Sequence, residues 1–360
     1  MVKYPYNPEE LEKAVDTVDF RGNPTVVFPK PCSEIENYMA TFKDHAPIWM
    51  VTGIGAGMFA PKVIPDNIAR AFVFEAERIP PSGGKDMFGI DWVYEPTVGG
   101  SIEDPNQPIL FDDANDWEGK INWPDIDSWD WEGSAKANKD FLSSDRPISL
   151  WLLNGCWFER LISFMGFENA SMALIDEDQH EALNALFEKT TDLYCRIVDK
   201  CCEAYGDGFS TFTVHDDWGS QKDCFFSPDV ARELIVPHMK KLVDRIHSHG
   251  KIADLHSCGC LDKQVENIVE AGWDTWAPMA MNDTHAMYEK YGDRLVFGVV
   301  ADPFDPETTP EDEQFRRGVE FAKKYPNSFA SHYNGNMLTP AFCKGLYEQS
   351  RINYTQRQEI

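Results

Sequence analysis

From Ile148 to the C-terminus, apolar runs of strand length alternate with apolar stripes of helical period, and this rhythm constrains the fold most. Ile148–Leu153, Phe209–Val214, Ile252–Leu255, Thr275–Met281, Leu295–Ala301 and Ser328–Ser331 read as strands. Between them, Asp178–Ala204 repeats Leu183, Leu186, Leu193, Ile197 and Cys201 on one helical face. Ser227–His249 reads as one helix, with Ser227 as N-cap, Pro228 in the first turn and Gly250 just past the end. Leu261–Ala271 is a further helix, stopped by Gly272. An earlier strand is expected where Ile48–Val51 runs into Gly53, Gly55 and Gly57; that glycine run lacks the Lys-Ser/Thr of a phosphate loop. Strands and helices alternating at this spacing build right-handed crossovers and a parallel sheet. The run is long and even and holds no complete dinucleotide fingerprint, so the expected fold class is α/β, a single (β/α)8 TIM barrel over residues 47–360.

Two stretches stand outside that rhythm. Residues 1–46 are polar and contain prolines, and are expected to form a helical N-terminal extension. Residues 86–134 crowd Trp92, Trp117, Trp123, Trp129 and Trp131 among Asp, Gly and Pro. This reads as an insertion of short strands and loops near the barrel mouth, or at a homodimer contact, with the tryptophans as packing anchors.

A formal net charge of −27 argues against nucleic acid as a partner, which calls for a basic face. No positively charged start leads into an apolar run, and no apolar stretch is long enough to span a bilayer, so no membrane association is expected. Nine cysteines without framework spacing read as reduced thiols, which makes the cytoplasm the expected location.

Active sites of such barrels lie at the carboxyl ends of the strands. Here those ends carry Asn154, His215-Asp216-Asp217, His256-x-Cys258, Asn282, Asp302 and His332. His256 and Cys258 alternate on an extended chain and so project together, an imidazole and a thiol suited to zinc. A catalytic zinc site needs a third protein donor; His332 is favoured, with Asp217 and Cys343 as alternatives. Asp216 and Asp217 point to opposite faces, so only one can serve the mouth, as a ligand, an orienting partner or an acid. His215, Asp216 and Asp217 are therefore the catalytic candidates, and Trp49, Met50, Trp218 and Tyr333 the candidates for a pocket wall. Without the strand-end context, the same residues would serve as a structural histidine, an inert thiol and a helix-capping acidic pair.

PIWM (Pro47–Met50), VHDDWGSQ (Val214–Gln221) followed by Ser227-Pro228, HSHGKIADLHSCG (His247–Gly259) and SHYNGNMLTP (Ser331–Pro340) resemble the uroporphyrinogen decarboxylase superfamily. Within it they resemble the corrinoid-dependent methyltransferase branch. The decarboxylases carry an Arg-containing R-Q-A-G-R segment after the first strand, whereas Val51–Gly55 here holds no cation. His256-x-Cys258 matches the zinc ligands of the methyltransferase branch. The thiol-methylating members of that branch take a third ligand from a last-strand cysteine, where this chain has His332-Tyr333. The resemblance thus implies Zn2+ and methyl transfer from a small methylated compound, plausibly an aryl methyl ether, to cobalt. Asp254-x-His256-x-x-Gly259 also fits the D-x-H-x-x-G pattern of corrinoid-binding domains, but no Gly-Gly pair follows it. The corrinoid (cobalamin) is accordingly expected on a separate partner protein. Alternatives are transfer from methylcobalamin to a thiol, decarboxylation of a smaller acid, or a non-catalytic barrel binding protein.

Overall fold

The computed structural model describes residues 3–18, 24–53, 55–97, 99–331 and 337–359. His332 and Tyr333 lie outside them. Contacts divide the chain into two compact units. One comprises Met1–Gly55, Asp145–Pro147 and Asp274–Ile360; the other comprises Ala56–Ser144 and Ile148–Trp273.

The second unit holds four parallel strands in the order Ile252–His256, Thr211–His215, Ile148–Leu152, Gly57–Phe59. Nearly every residue of the first three is buried, as expected of parallel strands with helices on their outer face. In the chain, the helices Phe158–Met165 and His180–Tyr205 follow Ile148–Leu152, Val236–Ser248 follows Thr211–His215, and Val265–Ala271 follows Ile252–His256. The first unit holds the parallel strands Thr275–Trp276, Val296–Val299 and Phe329–Ala330, and the helices Glu311–Lys324 and Pro340–Arg357.

Four expectations need correction. Residues 1–46 are not all helical: Val15–Val18 and Pro24–Val27 pair as an antiparallel hairpin between the helices Glu9–Glu12 and Glu34–Phe42. The β-branched Val15, Thr17, Val18, Thr25, Val26 and Val27 favour that ladder over a helix. Ile48–Val51 forms no ladder. The chain makes one parallel bridge there, Thr52 with Ala330, and its ordered strand is Gly57–Phe59. The single helix expected over Ser227–His249 is two, Pro228–Leu234 and Val236–Ser248. Pro237 has no N–H to give the carbonyl of Glu233, and its ring crowds that carbonyl. The strand expected over Thr275–Met281 is only Thr275–Trp276, because Pro278 cannot donate to a ladder.

An antiparallel sheet of Gly83–Lys85, Asp91–Glu95 and Gly100–Glu103 runs into the start of the Trp-rich stretch. Its anchor is a buried ion network. Arg160 pairs with Asp66 and with Asp86 (2.9 Å), and donates to the Tyr194 hydroxyl at 3.0 Å. Phe88 flanks its guanidinium at 4.7 Å. Asp86 in turn accepts from Trp92 Nε1 (3.2 Å) and from the backbone N–H groups of Phe88 and Ile90. One cation thus joins the Pro65–Ala69 helix, the Asp86 turn of the antiparallel sheet and the helix beginning at Phe158.

Replacing Arg160 with Met would leave two buried carboxylates without their partner, at a cost of about 3–5 kcal/mol. Urea unfolding of R160M followed by tryptophan fluorescence measures this; a loss below about 1 kcal/mol would contradict the network's assigned role.

Candidate functional site

His215 and His256 are direct partners across two parallel strands. Alternate residues face the same side, so Thr213 and Asp254 form one layer beneath them and the two imidazoles the next. That lower layer is polar: Thr213 Oγ1 donates to Asp254 Oδ2 at 2.7 Å and meets Ser149 Oγ at 2.5 Å. Above it the imidazole rings lie 5.0 Å apart and nearly parallel, with the Trp151 ring 5.3 Å from His256.

Carboxylates hold His215 on both sides. Its Nδ1 is 2.6 Å from Glu159 Oε2 and its Nε2 is 3.3 Å from Asp217 Oδ1. Burial disfavours a charged imidazole, yet these two anions raise its pKa well above the ordinary histidine value. The same positive charge, working against burial, holds Glu159 and Asp217 below the usual carboxylate range. Arg70, 3.5 Å from Glu159, adds to the effect. His256 moves the other way: burial, then the neighbouring His215 charge, lowers it to about 4. Its imidazole is therefore neutral at neutral pH. Burial raises the Cys258 thiol, and a hydrogen bond with His215 opposes that shift.

Cys258 Sγ is 3.5 Å from His256 Nε2, so the two donors converge. The loop that carries the thiol is locked on the loop after the neighbouring strand. Cys258 N donates to Asp217 Oδ1 (2.6 Å), Trp218 N to Ser257 Oγ (3.1 Å) and Cys260 N to the Ser220 carbonyl (2.8 Å). Gly259 has φ +92°, and a Cβ there would lie 2.1 Å from the Gly219 carbonyl oxygen. Only glycine permits that approach.

Asp216 serves a different end. Its carboxylate accepts from Trp218 Nε1 (2.6 Å) and from the first N–H groups of the Phe158–Met165 helix, Phe158 (3.3 Å) and Glu159 (3.0 Å). It therefore caps the helix that presents Glu159, placing negative charge at the helix N-terminus. Burial pushes it up to about 7, and Glu159 adds to the rise while those N–H groups oppose it. The capping turn needs Gly155 (φ +53°), where a Cβ would meet Asp216 Oδ1 at 2.2 Å.

The other candidates fall elsewhere. Trp218 is fully buried. Trp49 and Met50 lie in the other unit, where Trp49 packs with Ile48, Tyr347 and Tyr354, and Met50 N donates to Ser350 Oγ. Cys343 is in that unit too, its thiol bonded to the Leu338 carbonyl at 3.4 Å. Glu159, Arg70 and Trp151 are neighbours of the cluster that sequence reasoning missed. The one available signal was the Glu159-Arg160 pair inside the apolar run Cys156–Met165, where buried charges demand partners.

The donor set fits zinc. Tetrahedral Zn–N and Zn–S bonds of ~2.0 and ~2.3 Å set N and S donors about 3.5 Å apart, the separation seen between His256 Nε2 and Cys258 Sγ. His215, Asp217 and His256 also each offer a ligand atom within 4.8 Å of the others.

The uroporphyrinogen decarboxylase family model matches residues 159–304, which start at Glu159 and include His215, Asp217, His256 and Cys258. This segment is uroporphyrinogen decarboxylase-like. A methyltransferase from Methanosarcina mazei shares the fold, with 14% identity over 91% of this chain and 99% of that one and a TM-score of 0.56. The IOLI protein, solved with a bound zinc atom, is a more distant likeness: 12% identity, 65% of this chain, 81% of that one, TM-score 0.30. No curated protein matches significantly. No helix among the described residues is long and apolar enough to cross a membrane.

Because folding holds His256 near 4 against about 6.5 in the unfolded chain, the folded state resists protonation between those values. Its contribution is complete above pH 6.5 and is lost as pH falls through that window, by on the order of 2–3 kcal/mol. Urea unfolding of metal-free protein at pH 7 and pH 4.5 should show a loss that H256N lacks; equal slopes in the two proteins would contradict the assignment.

Proposed function

We propose that this protein is a zinc-dependent methyltransferase, moving a methyl group from a small methylated compound, an aryl methyl ether in our reading, to the cobalt of a separate corrinoid protein. The observation that carries this is the convergence of His256 Nε2 and Cys258 Sγ in a uroporphyrinogen decarboxylase-like segment whose solved neighbour is a methyltransferase. We read the site as lying at the carboxyl ends of the Ile148–Leu152, Thr211–His215 and Ile252–His256 strands.

His256 and Cys258 would hold the zinc, which when bound supplies a Lewis acid for the ether oxygen. The methyl–oxygen bond breaks, a methyl–cobalt bond forms on the partner's Co(I), and the oxygen leaves as a phenolate. His215, held between Glu159 and Asp217, stands beside the His256–Cys258 pair. Trp151, stacked at an angle on His256, supplies an aromatic wall. The decarboxylase alternative loses weight because Arg160 is committed to Asp66 and Asp86, and Arg70 to Glu159. The cytoplasm, where Co(I) and free thiols persist, is the compartment this reading requires.

Purified protein should hold one zinc per chain, which H256A and C258A should lose. With reduced corrinoid protein, a panel of methoxylated aromatics should lose methyl groups in the wild type and at least ~100-fold more slowly in either variant. Zinc-free wild-type protein with full methyl transfer would overturn the proposal.

A further inference from the structure

We infer that His215 and Asp217 complete the cation site begun by His256 and Cys258, and that Glu159 sets His215 for that task. The inference rests on the zinc reading above and names the donors that reading leaves open.

Three observations carry it. First, His215 Nε2 and Asp217 Oδ1 are 3.3 Å apart. A charge-assisted N–H···O bond is about 2.7–2.9 Å, whereas N and O donors on one tetrahedral zinc, each bonded at ~2.0 Å, sit about 3.3 Å apart. With the 3.5 Å separation of His256 Nε2 and Cys258 Sγ, two edges of a coordination polyhedron are already present. Second, ligand atoms of His215, Asp217 and His256 lie within 4.8 Å of one another, and the rings of the two histidines are nearly parallel, 5.0 Å apart. Third, Glu159 Oε2 lies 2.6 Å from His215 Nδ1. The carboxylate's charge at that distance favours a proton on Nδ1, and Nε2, 3.3 Å from Asp217, is the nitrogen on the cluster side.

His215 and His256 are paired across two adjacent strands, Asp217 and Cys258 lie in the loops that follow them, and the backbone N–H of Cys258 ties its loop to Asp217 at 2.6 Å. Glu159 touches no ligand position and is a positioning residue; its own placement comes from Asp216 capping its helix.

The test is metal affinity and ligand field rather than turnover. Zinc competition against a chromophoric chelator, and visible spectra of the Co2+-substituted protein, are compared for wild type, H215Q, D217N, E159Q and H332Q. H215Q and D217N should each bind zinc at least ~10-fold more weakly and change the cobalt d–d bands, while the charge-transfer band from the Cys258 thiolate to cobalt persists. E159Q should lose about 10–100-fold in affinity with little change in the d–d bands, and H332Q should match wild type. D217E, which restores a carboxylate, should recover part of the affinity lost in D217N. It decides the case if D217N fails a far-UV circular dichroism check of folding. Wild-type affinity and spectra in both H215Q and D217N, or a loss confined to H332Q, would overturn the inference and leave the zinc reading intact. No zinc on wild-type protein would defeat the zinc reading itself.

Discussion

The Glu159–His215–Asp217 string is the interaction on which the site depends. A charged imidazole with little solvent contact is tolerable only because an anion stands on each side. Each anion belongs to a different element. Glu159 opens the helix that follows the Ile148–Leu152 strand, while Asp217 begins the loop after the Thr211–His215 strand and accepts from Cys258 N. The Glu159–His215–Asp217 string thereby links the carboxyl ends of three neighbouring strands, and with them the thiol.

Around that string the chain divides labour between neighbouring residues of like chemistry. Asp216 and Asp217 are consecutive, yet one stabilises a helix N-terminus and the other joins the donor cluster. Glu159 and Arg160 are consecutive too; the first serves His215, and the second locks the antiparallel sheet through Asp66 and Asp86. In both cases successive side chains leave the backbone in different directions. The site and its scaffold are thus built from the same few residues, and disturbing the scaffold disturbs the site.

Much of this was legible in advance. The strand–helix alternation after Ile148 indicated parallel pairing, because buried parallel strands are continuous apolar runs of a length no helix needs. The convergence of His256 and Cys258 followed from the two-residue period of extended chain. Other features were hidden. The helix break at Pro237 was read through because the flanking amphipathic pattern is continuous across it. The hairpin of Val15–Val18 with Pro24–Val27 has only four residues to a strand, too few to outweigh a helical reading of the polar residues around it. Glu159 carried no spacing signal relative to His215, since 56 positions separate them and only the strand order brings them together.

The sequence by itself determined the parallel α/β class, the pairing of an imidazole with a thiol at a strand end, and the opposed directions of Asp216 and Asp217, because each depends on a backbone period that residues express locally. Tertiary structure alone decided which carboxylate caps a helix and which meets His215, that Glu159 lies against Nδ1, and that Trp218 is enclosed. Those outcomes depend on which strands are neighbours and in what register, and register is set by packing across the whole sheet.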